Sequence, residues 1–228
     1  YRSELAAAAV ISGIQFSFVT ADRGVYSRKE AEDAFHPVAE RLPRSAILWV
    51  ENTHNAGGGQ IFPIDRIKEL RTFANSHGIP LHIDGARIFN AIVASGIGPA
   101  EWGAQCDSIS FCLSKGLGCP VGSILMGSED FIRETRKRRK FLGGGWRQAG
   151  VFAAAGIVAL TEIVPRLGED HENARRLADG IAEISGLIIN PSDIETNLVF
   201  FGFNTAMVDP AQFVSALADG NILIGGAS

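Results

Sequence analysis

Phe111-Cys112-Leu113-Ser114-Lys115-Gly116-Leu117-Gly118 is an apolar, β-like run that hands a single lysine to a glycine-bracketed turn. An exposed lysine amine is protonated and a poor nucleophile at neutral pH, and burial or a neighbouring cation activates it by lowering its pKa. A strand end beneath a cofactor is such a place, and the flanking glycines let the backbone approach a ligand closely. On its own the Ser-Lys-Gly pattern fits an exposed turn lysine better than a reactive one.

A second stretch, Leu81-His82-Ile83-Asp84-Gly85-Ala86-Arg87, reads as a short buried strand with an acid and an arginine just past its carboxyl end. In open α/β sheets that edge is where ligands sit. A pyridoxal phosphate site needs a carboxylate to keep the pyridine nitrogen protonated and a guanidinium to clamp an amino-acid carboxylate. Asp84 and Arg87 are the candidates. The competing role for Asp84 is a helix N-cap for the segment Ala86 to Ser95, and one turn could serve both uses.

Outward from these stretches, strands alternate with helices, the pattern of βα units and a mostly parallel central sheet flanked by helices. Strands are expected at Ala46 to Val50, Leu81 to Ile83, Ser108 to Leu113 and Gly122 to Met126. Pro63 opens a helix to His77, with Ile64, Ile67, Leu70, Arg71 and Phe73 tracing an approximate 3.6 period, and Gly78 stops it. Long helices are expected over Ser128 to Phe141 and Gln148 to Val164, hinged at Gly143-Gly144-Gly145, with Pro165 breaking the second. Beyond it come a helix to Ser185, a strand over Leu198 to Phe203 and a helix over Ala211 to Asp219. The expected organisation is a large α/β domain over residues 1–165 and the start of a smaller C-terminal α+β domain over 166–228.

Composition narrows the class of function. With 228 residues the chain can bury one sizeable core. A net charge of −4 gives no basic footprint for nucleic acid. The exception is the run Arg133 to Lys140, which on a helix serves more often as a solvated face or a subunit contact. Three cysteines without a pairing pattern point to a reducing compartment, the cytoplasm, and Cys112 is read as core packing. No segment is expected to offer the ~20 apolar residues that cross a bilayer, and the stretch Leu5 to Ile14 lacks the pattern of a signal peptide. There is no initiator methionine and the chain stops at Gly225-Gly226-Ala227-Ser228 without a closing helix, so both ends are expected to be truncated.

Three longer strings carry a resemblance: His82 to Ala91, Leu113 to Ser123, and Gly143-Gly144-Gly145-Trp146-Arg147-Gln148-Ala149-Gly150. With Glu51-Asn52-Thr53-His54-Asn55 and Asp170-His171-Glu172-Asn173-Ala174, in this order, the chain resembles the low-specificity L-threonine aldolases. These are fold-type I pyridoxal-phosphate enzymes, in the branch that also holds β-eliminating lyases. The resemblance runs from about Val50 to about Phe203.

That resemblance implies a cofactor, pyridoxal 5′-phosphate, bound covalently by Lys115 with Asp84 at its ring nitrogen. Ser114 could bond the phosphate, and Arg147 and Lys140 would reach cofactor or substrate, in the neighbouring subunit's site. Arg87 would hold the substrate carboxylate. His54 would contact the β-hydroxyl and remove its proton directly or through water, a role suited to a group titrating near neutrality. The implied reaction is retro-aldol cleavage of a β-hydroxy-α-amino acid, such as threonine or phenylserine, to glycine and an aldehyde, in a homo-oligomer with no nucleic-acid or membrane partner. β-Elimination, transamination and a non-catalytic truncated homologue are the alternatives.

His82 and His77 fit structural roles, and His171 matches the resemblance without a chemical one. Trp146 stands where relatives commonly have methionine. A phosphate-cradling loop and a ring that stacks on the pyridine lie upstream in relatives, and a further arginine lies downstream.

Overall fold

The computed structural model describes residues 6–225. The expectations for Leu5 and for Gly226-Ala227-Ser228 lie outside the described residues. The rest of the alanine-rich stretch forms an exposed helix, α1 (Ala7–Ser12). A second short helix, α2 (Arg28–Ala34), starts with a capping box in which Ser27 and Glu30 satisfy each other's backbone N–H groups.

The main sheet is built from β1 (Leu48–Glu51), β2 (Leu81–Asp84), β3 (Ser108–Cys112) and β4 (Ser123–Gly127), in that spatial order. β1, β2 and β3 run parallel and β4 runs antiparallel to β3. The crossover from β1 to β2 is α3 (Ile64–Ser76), and that from β2 to β3 carries α4 (Ile88–Ser95) and α5 (Pro99–Gly103). All four expected strands are present within one or two residues, and only the reversed direction of β4 was not legible.

Helix α3 shows how periodicity becomes packing. Pro63 is its N-cap, and Ile67, Leu70 and Phe73 are buried together with Val50, Leu81, Ile83, Ile109 and Phe111. Each such side chain contributes about 1.5–3 kcal/mol of burial free energy. Arg71 does not share the apolar face; its guanidinium pairs with Asp107, whose carboxylate also accepts from Leu81 N–H at 2.8 Å. Gly78 ends the helix at φ +62°.

After β4, Ser128 caps α6 (Glu129–Phe141) by accepting from Phe131 N–H. No residue of α6 is buried, and Arg138, Arg139 and Lys140 fall in its last turn, where cations complement the helix dipole. The next helix, α7 (Gly150–Val158), starts two residues later than expected. Pro165 does not break the helical path. A π-helical turn (Ala159–Ile163) and a 3₁₀ turn (Val164–Arg166) carry the chain into α8 (Leu167–Ala182), because a proline in the first positions of a turn needs no N–H partner.

That continuity overturns the expectation about bilayer-spanning length. By length and composition alone the 33-residue run Gly150–Ala182 is sufficient, the one such helix among the described residues. Its second half nevertheless packs into protein, burying Leu167, His171, Ala174, Ala178 and Ile181.

The last part of the chain holds a two-stranded antiparallel pair, β5 (Leu187–Ile188) with β6 (Gly202–Phe203), and α9 (Pro210–Asp219), capped by Asp209. β6 is much shorter than the expected strand over Leu198 to Phe203. Just before the expected strand the chain is tied to the loop after β1: Thr196 Oγ1 donates to Gly59 O at 2.8 Å, and Glu195 accepts from Ile61 N–H at 2.8 Å. Ala174, Ala178 and Ile194 make a small second core there.

Two buried histidines make stability pH-dependent. His82 bonds Ser108 Oγ through Nδ1 at 2.7 Å and packs against Trp49 at a tilt, and burial holds its pKa below the ordinary value, with Asp84 opposing. Burial likewise lowers His171, helped by Arg175 and opposed by Asp170. A group with a depressed folded pKa leaves the folded state binding fewer protons than the unfolded chain below pH ~6.5, so stability falls as pH falls through that window. The melting temperature is therefore expected to be lower by a few degrees at pH 5.5 than at pH 7.5. A flat melting temperature over that interval would contradict this.

Candidate functional site

The carboxyl ends of the three parallel strands bring His54, Asp84, Arg87, Ser114 and Lys115, but not Lys140 or Arg147, to one edge of the sheet. In register, Glu51 pairs with Asp84 and Asp84 with Ser110. Beyond β1 lies the hairpin containing His54, beyond β2 the Asp84 turn with Arg87, and beyond β3 the Lys115 turn.

Lys115 sits in a tight reversal. Gly118 N–H donates to Lys115 O at 2.9 Å, and Leu113 bonds outward both to Gly122 O and, through its own carbonyl, to Cys119 N–H. Gly118 takes the positive φ that closes this turn, +69°, a conformation costly for any residue with a Cβ. Ser114 and Lys115 are both exposed. Cys112, expected in the core, is only half-buried, since alternate residues of β3 turn away from it.

Asp84 is half-buried, and its Oδ1 accepts from Ala86 N–H at 3.1 Å. It is therefore an Asx-turn residue, not a helix N-cap: α4 begins at Ile88, with Arg87 at the N-cap position and no side-chain cap. Among the described residues, the side chains of Lys115, Ser114 and Arg87 make no hydrogen bond or ion pair, and Asp84 uses one oxygen only.

Gly85 fixes how closely this turn packs. A Cβ there would lie 2.7 Å from Ser110 O and 2.9 Å from Ile88 Cβ. Gly85→Ala is expected to displace the Asp84–Arg87 turn and destabilise the fold by about 1–3 kcal/mol, the usual cost of overpacking. Thermal denaturation of the variant checks it, and an unchanged melting temperature would mean the turn has slack.

His54 is held by one ring nitrogen. Nδ1 accepts from Gly57 N–H at 2.9 Å, so the neutral ring carries its proton on Nε2, which lies 3.7 Å from Glu51 Oε2. The ring face is covered by Gly24, where a Cβ would come within 2.4 Å of His54 atoms. Glu51 Oε1 in turn accepts from Asn55 N–H at 2.9 Å. Arg23 Nε donates to Gly57 O at 3.0 Å and Nη2 to Asp193 O at 2.6 Å, tying the hairpin to the C-terminal segment. A hollow of about 370 Å³ between them is lined by Arg23, Gly57, Gly58, Asn190, Asp193 and Phe200.

Three features escaped the sequence reading. The Glu51–His54 pair has a visible signal, an acid and a histidine three residues apart at a strand end. Asn52 and Thr53 are fully buried, yet Asn52 Nδ2 and Thr53 Oγ1 have no hydrogen-bond partner, beside His54 and next to the Asp84 strand. Gly24 and Arg23 reach the hairpin from far along the chain, with no local signal.

Lys140 and Arg147 are exposed and, among the described residues, without side-chain partners. Arg147 does not open a helix: it lies in the turn before α7, which starts at Gly150. Trp146 packs against Phe152 with ring centroids 4.4 Å apart, tilted by 47°, and is 59% exposed. His77 bonds Phe73 O from the helix end, as its position suggested. The three cysteines are free.

A family model described as β-eliminating lyase matches residues 1–203. The chain is 44% identical over 158 residues to low-specificity L-threonine aldolase 1 of Arabidopsis thaliana, covering 69% of this chain and 44% of that protein. It is 41% identical over 201 residues to the low specificity L-threonine aldolase of Escherichia coli K12, covering 88% and 59%. A crystal structure from Listeria monocytogenes EGD-E, provisionally described as an L-allo-threonine aldolase, superposes with a TM-score of 0.82 at 20% identity, covering 98% of this chain and 61% of that one. That likeness bears out the expected fold, a mostly parallel sheet flanked by helices. The chain spans about half the length of the relatives it matches.

Proposed function

The chain belongs to the β-eliminating lyase family, and on that premise we propose that the protein is a pyridoxal-phosphate-dependent carbon–carbon lyase that cleaves L-threonine, L-allo-threonine or phenylserine to glycine and an aldehyde. The observation that carries this reading is the meeting of Lys115, Asp84, Arg87 and His54 at one sheet edge, with the lysine and arginine side chains unpartnered. The aldolase names of the relatives support the same activity.

The residues present fit the cofactor. Lys115 offers an amine for its aldehyde, Asp84 an unused carboxylate oxygen for its ring nitrogen, and Ser114 a hydroxyl for its phosphate. The orphaned Asn52 Nδ2 and Thr53 Oγ1 add buried polar groups beside the same edge. When bound, pyridoxal phosphate supplies an electron sink for the carbanion that cleavage leaves at Cα.

The protein's own groups do the rest. Arg87 holds the substrate carboxylate in a two-point clamp, which fixes the amino acid's orientation. The free oxygen of the Asp84 carboxylate faces the place of the ring nitrogen and favours its protonated form. His54 cannot abstract a proton directly while Gly57 occupies Nδ1 and Nε2 bears hydrogen. It therefore holds the β-hydroxyl through Nε2–H, and the hydroxyl proton leaves through water to the Glu51 carboxylate beside that nitrogen. Lys115 is then placed to return a proton to Cα and complete glycine.

Lys140 and Arg147 are assigned to the site of a neighbouring subunit in a homo-oligomer. Their exposure supports this, together with the uncovered apolar side chains Phe141, Leu142, Trp146, Val151 and Ile157 around them. Three free cysteines support a cytoplasmic location. The small second core supports a division into residues 1–165 and 166–228. The test is product identification with the full-length protein: glycine plus acetaldehyde from L-threonine supports the reading, whereas pyruvate or a 2-oxo acid with ammonia in place of glycine overturns it.

A further inference from the structure

We propose that Asn90 and His171 form a buried link through which helix α8 positions the Lys115 turn, which makes them positioning residues for the site. The proposal rests on the reading of Lys115 as the cofactor lysine. His171 was the one histidine of the resembling strings without a role, and the structure places it far from the sheet edge but not out of touch with it.

Both members are almost fully buried, Asn90 at 2% exposure on α4 and His171 at 3% on α8. Asn90 Nδ2 lies 3.1 Å from His171 Nε2, across 81 residues of sequence. With Nε2 accepting, the amide nitrogen donates and the other end of the carboxamide is fixed in direction. That end faces the Lys115 turn: a Cβ on Gly116 would lie 3.0 Å from Asn90 Oδ1, so the amide oxygen rests against the Gly116 backbone. Leu167 Cδ2, from the first residue of α8, lies 3.7 Å from the same point. Helix α8 thus reaches the neighbour of Lys115 twice, once directly and once through Asn90.

A buried amide and imidazole are an expensive way to fill this space. Leucine and phenylalanine would pack there without the cost of desolvating two polar groups. What the polar pair adds is direction, because a hydrogen bond fixes which end of the carboxamide meets Gly116, as an apolar contact does not. Gly116 has no side chain to hold its own place, so the position of the Lys115 backbone depends on what lies beneath it.

The test compares His171→Phe, His171→Gln and Asn90→Leu in the full-length protein, first by amide hydrogen exchange without added cofactor. His171→Phe and Asn90→Leu are expected to speed exchange in residues 114–118 about tenfold, the scale of one lost hydrogen bond, with a smaller change in β2. His171→Gln, whose side-chain oxygen can still accept from Asn90, is expected to restore most of the protection. The double variant is expected to be no worse than the worse single one, since the two residues act through one contact.

The second readout is the rate at which pyridoxal phosphate with borohydride labels Lys115, expected to fall several-fold in His171→Phe and to recover in His171→Gln. Should His171→Phe not fold, His171→Met, apolar and adaptable, replaces it. Equal loosening of β2, β3 and the turn, unchanged exchange at the turn, or additive effects of the two substitutions would overturn the proposal. Wild-type protein that takes no label on Lys115 while the exchange pattern follows as stated would sink the functional reading and leave the link standing.

Discussion

Lys115→Ala in the full-length protein is expected to abolish glycine release from L-threonine, a loss on the order of 10⁴-fold or more, the scale seen when a covalent group is removed from an enzyme site. Nothing else at the sheet edge can replace it: among the described residues, the other candidate cation there is Arg87, whose guanidinium is neither nucleophilic nor deprotonated near neutral pH. The side chain is exposed and makes no hydrogen bond, so its removal costs the fold little, and the melting temperature should stay near that of the wild type. A glycine assay beside thermal denaturation separates the two effects. Retention of more than a few per cent of activity would mean that another lysine binds the cofactor.

Asp84→Asn is expected to lower kcat about 10²–10³-fold, the usual effect of removing one preorganised electrostatic group. The substitution is chosen because the asparagine oxygen can still accept from Ala86 N–H and keep the Asx turn that Asp84 makes at 3.1 Å. Only the charge is lost. Steady-state kinetics should therefore show a fall in kcat with a folded, stable protein, and KM for threonine little changed because Arg87 still holds the carboxylate. Activity within twofold of the wild type would remove Asp84 from its assigned role.

How much of this was legible before the structure depended on the range over which each signal acts. Asp84 ends a short apolar strand, and Arg87 and Lys115 stand three residues past the ends of two such strands, and the strand edge of an α/β sheet is a property of local pattern. Helix α3 was legible for the same reason, down to its proline start and glycine stop. The direction of β4 was not, because an apolar run reports burial and not orientation. Pro165 misled because its effect depends on its place in a turn: at the start of the Val164–Arg166 turn it is tolerated, and the helical path continues to Ala182.

The parts of the site that escaped the sequence are those made by distant segments. Gly24 closing over the His54 ring, Thr196 bonding Gly59 O, and His171 meeting Asn90 each join residues distant in sequence. The role proposed for His54 turns on a single backbone hydrogen bond, Gly57 N–H to Nδ1, between residues close in sequence whose turn geometry the sequence does not specify.

The most direct measurement is to add pyridoxal phosphate to the full-length protein, fix it with borohydride and map the labelled lysine by mass spectrometry. The expected result is one cofactor per chain on Lys115, with Asp84→Asn labelled at the same residue. No label, or label on a lysine elsewhere while Lys115 stays unmodified, would contradict the site described at the carboxyl edge of this sheet.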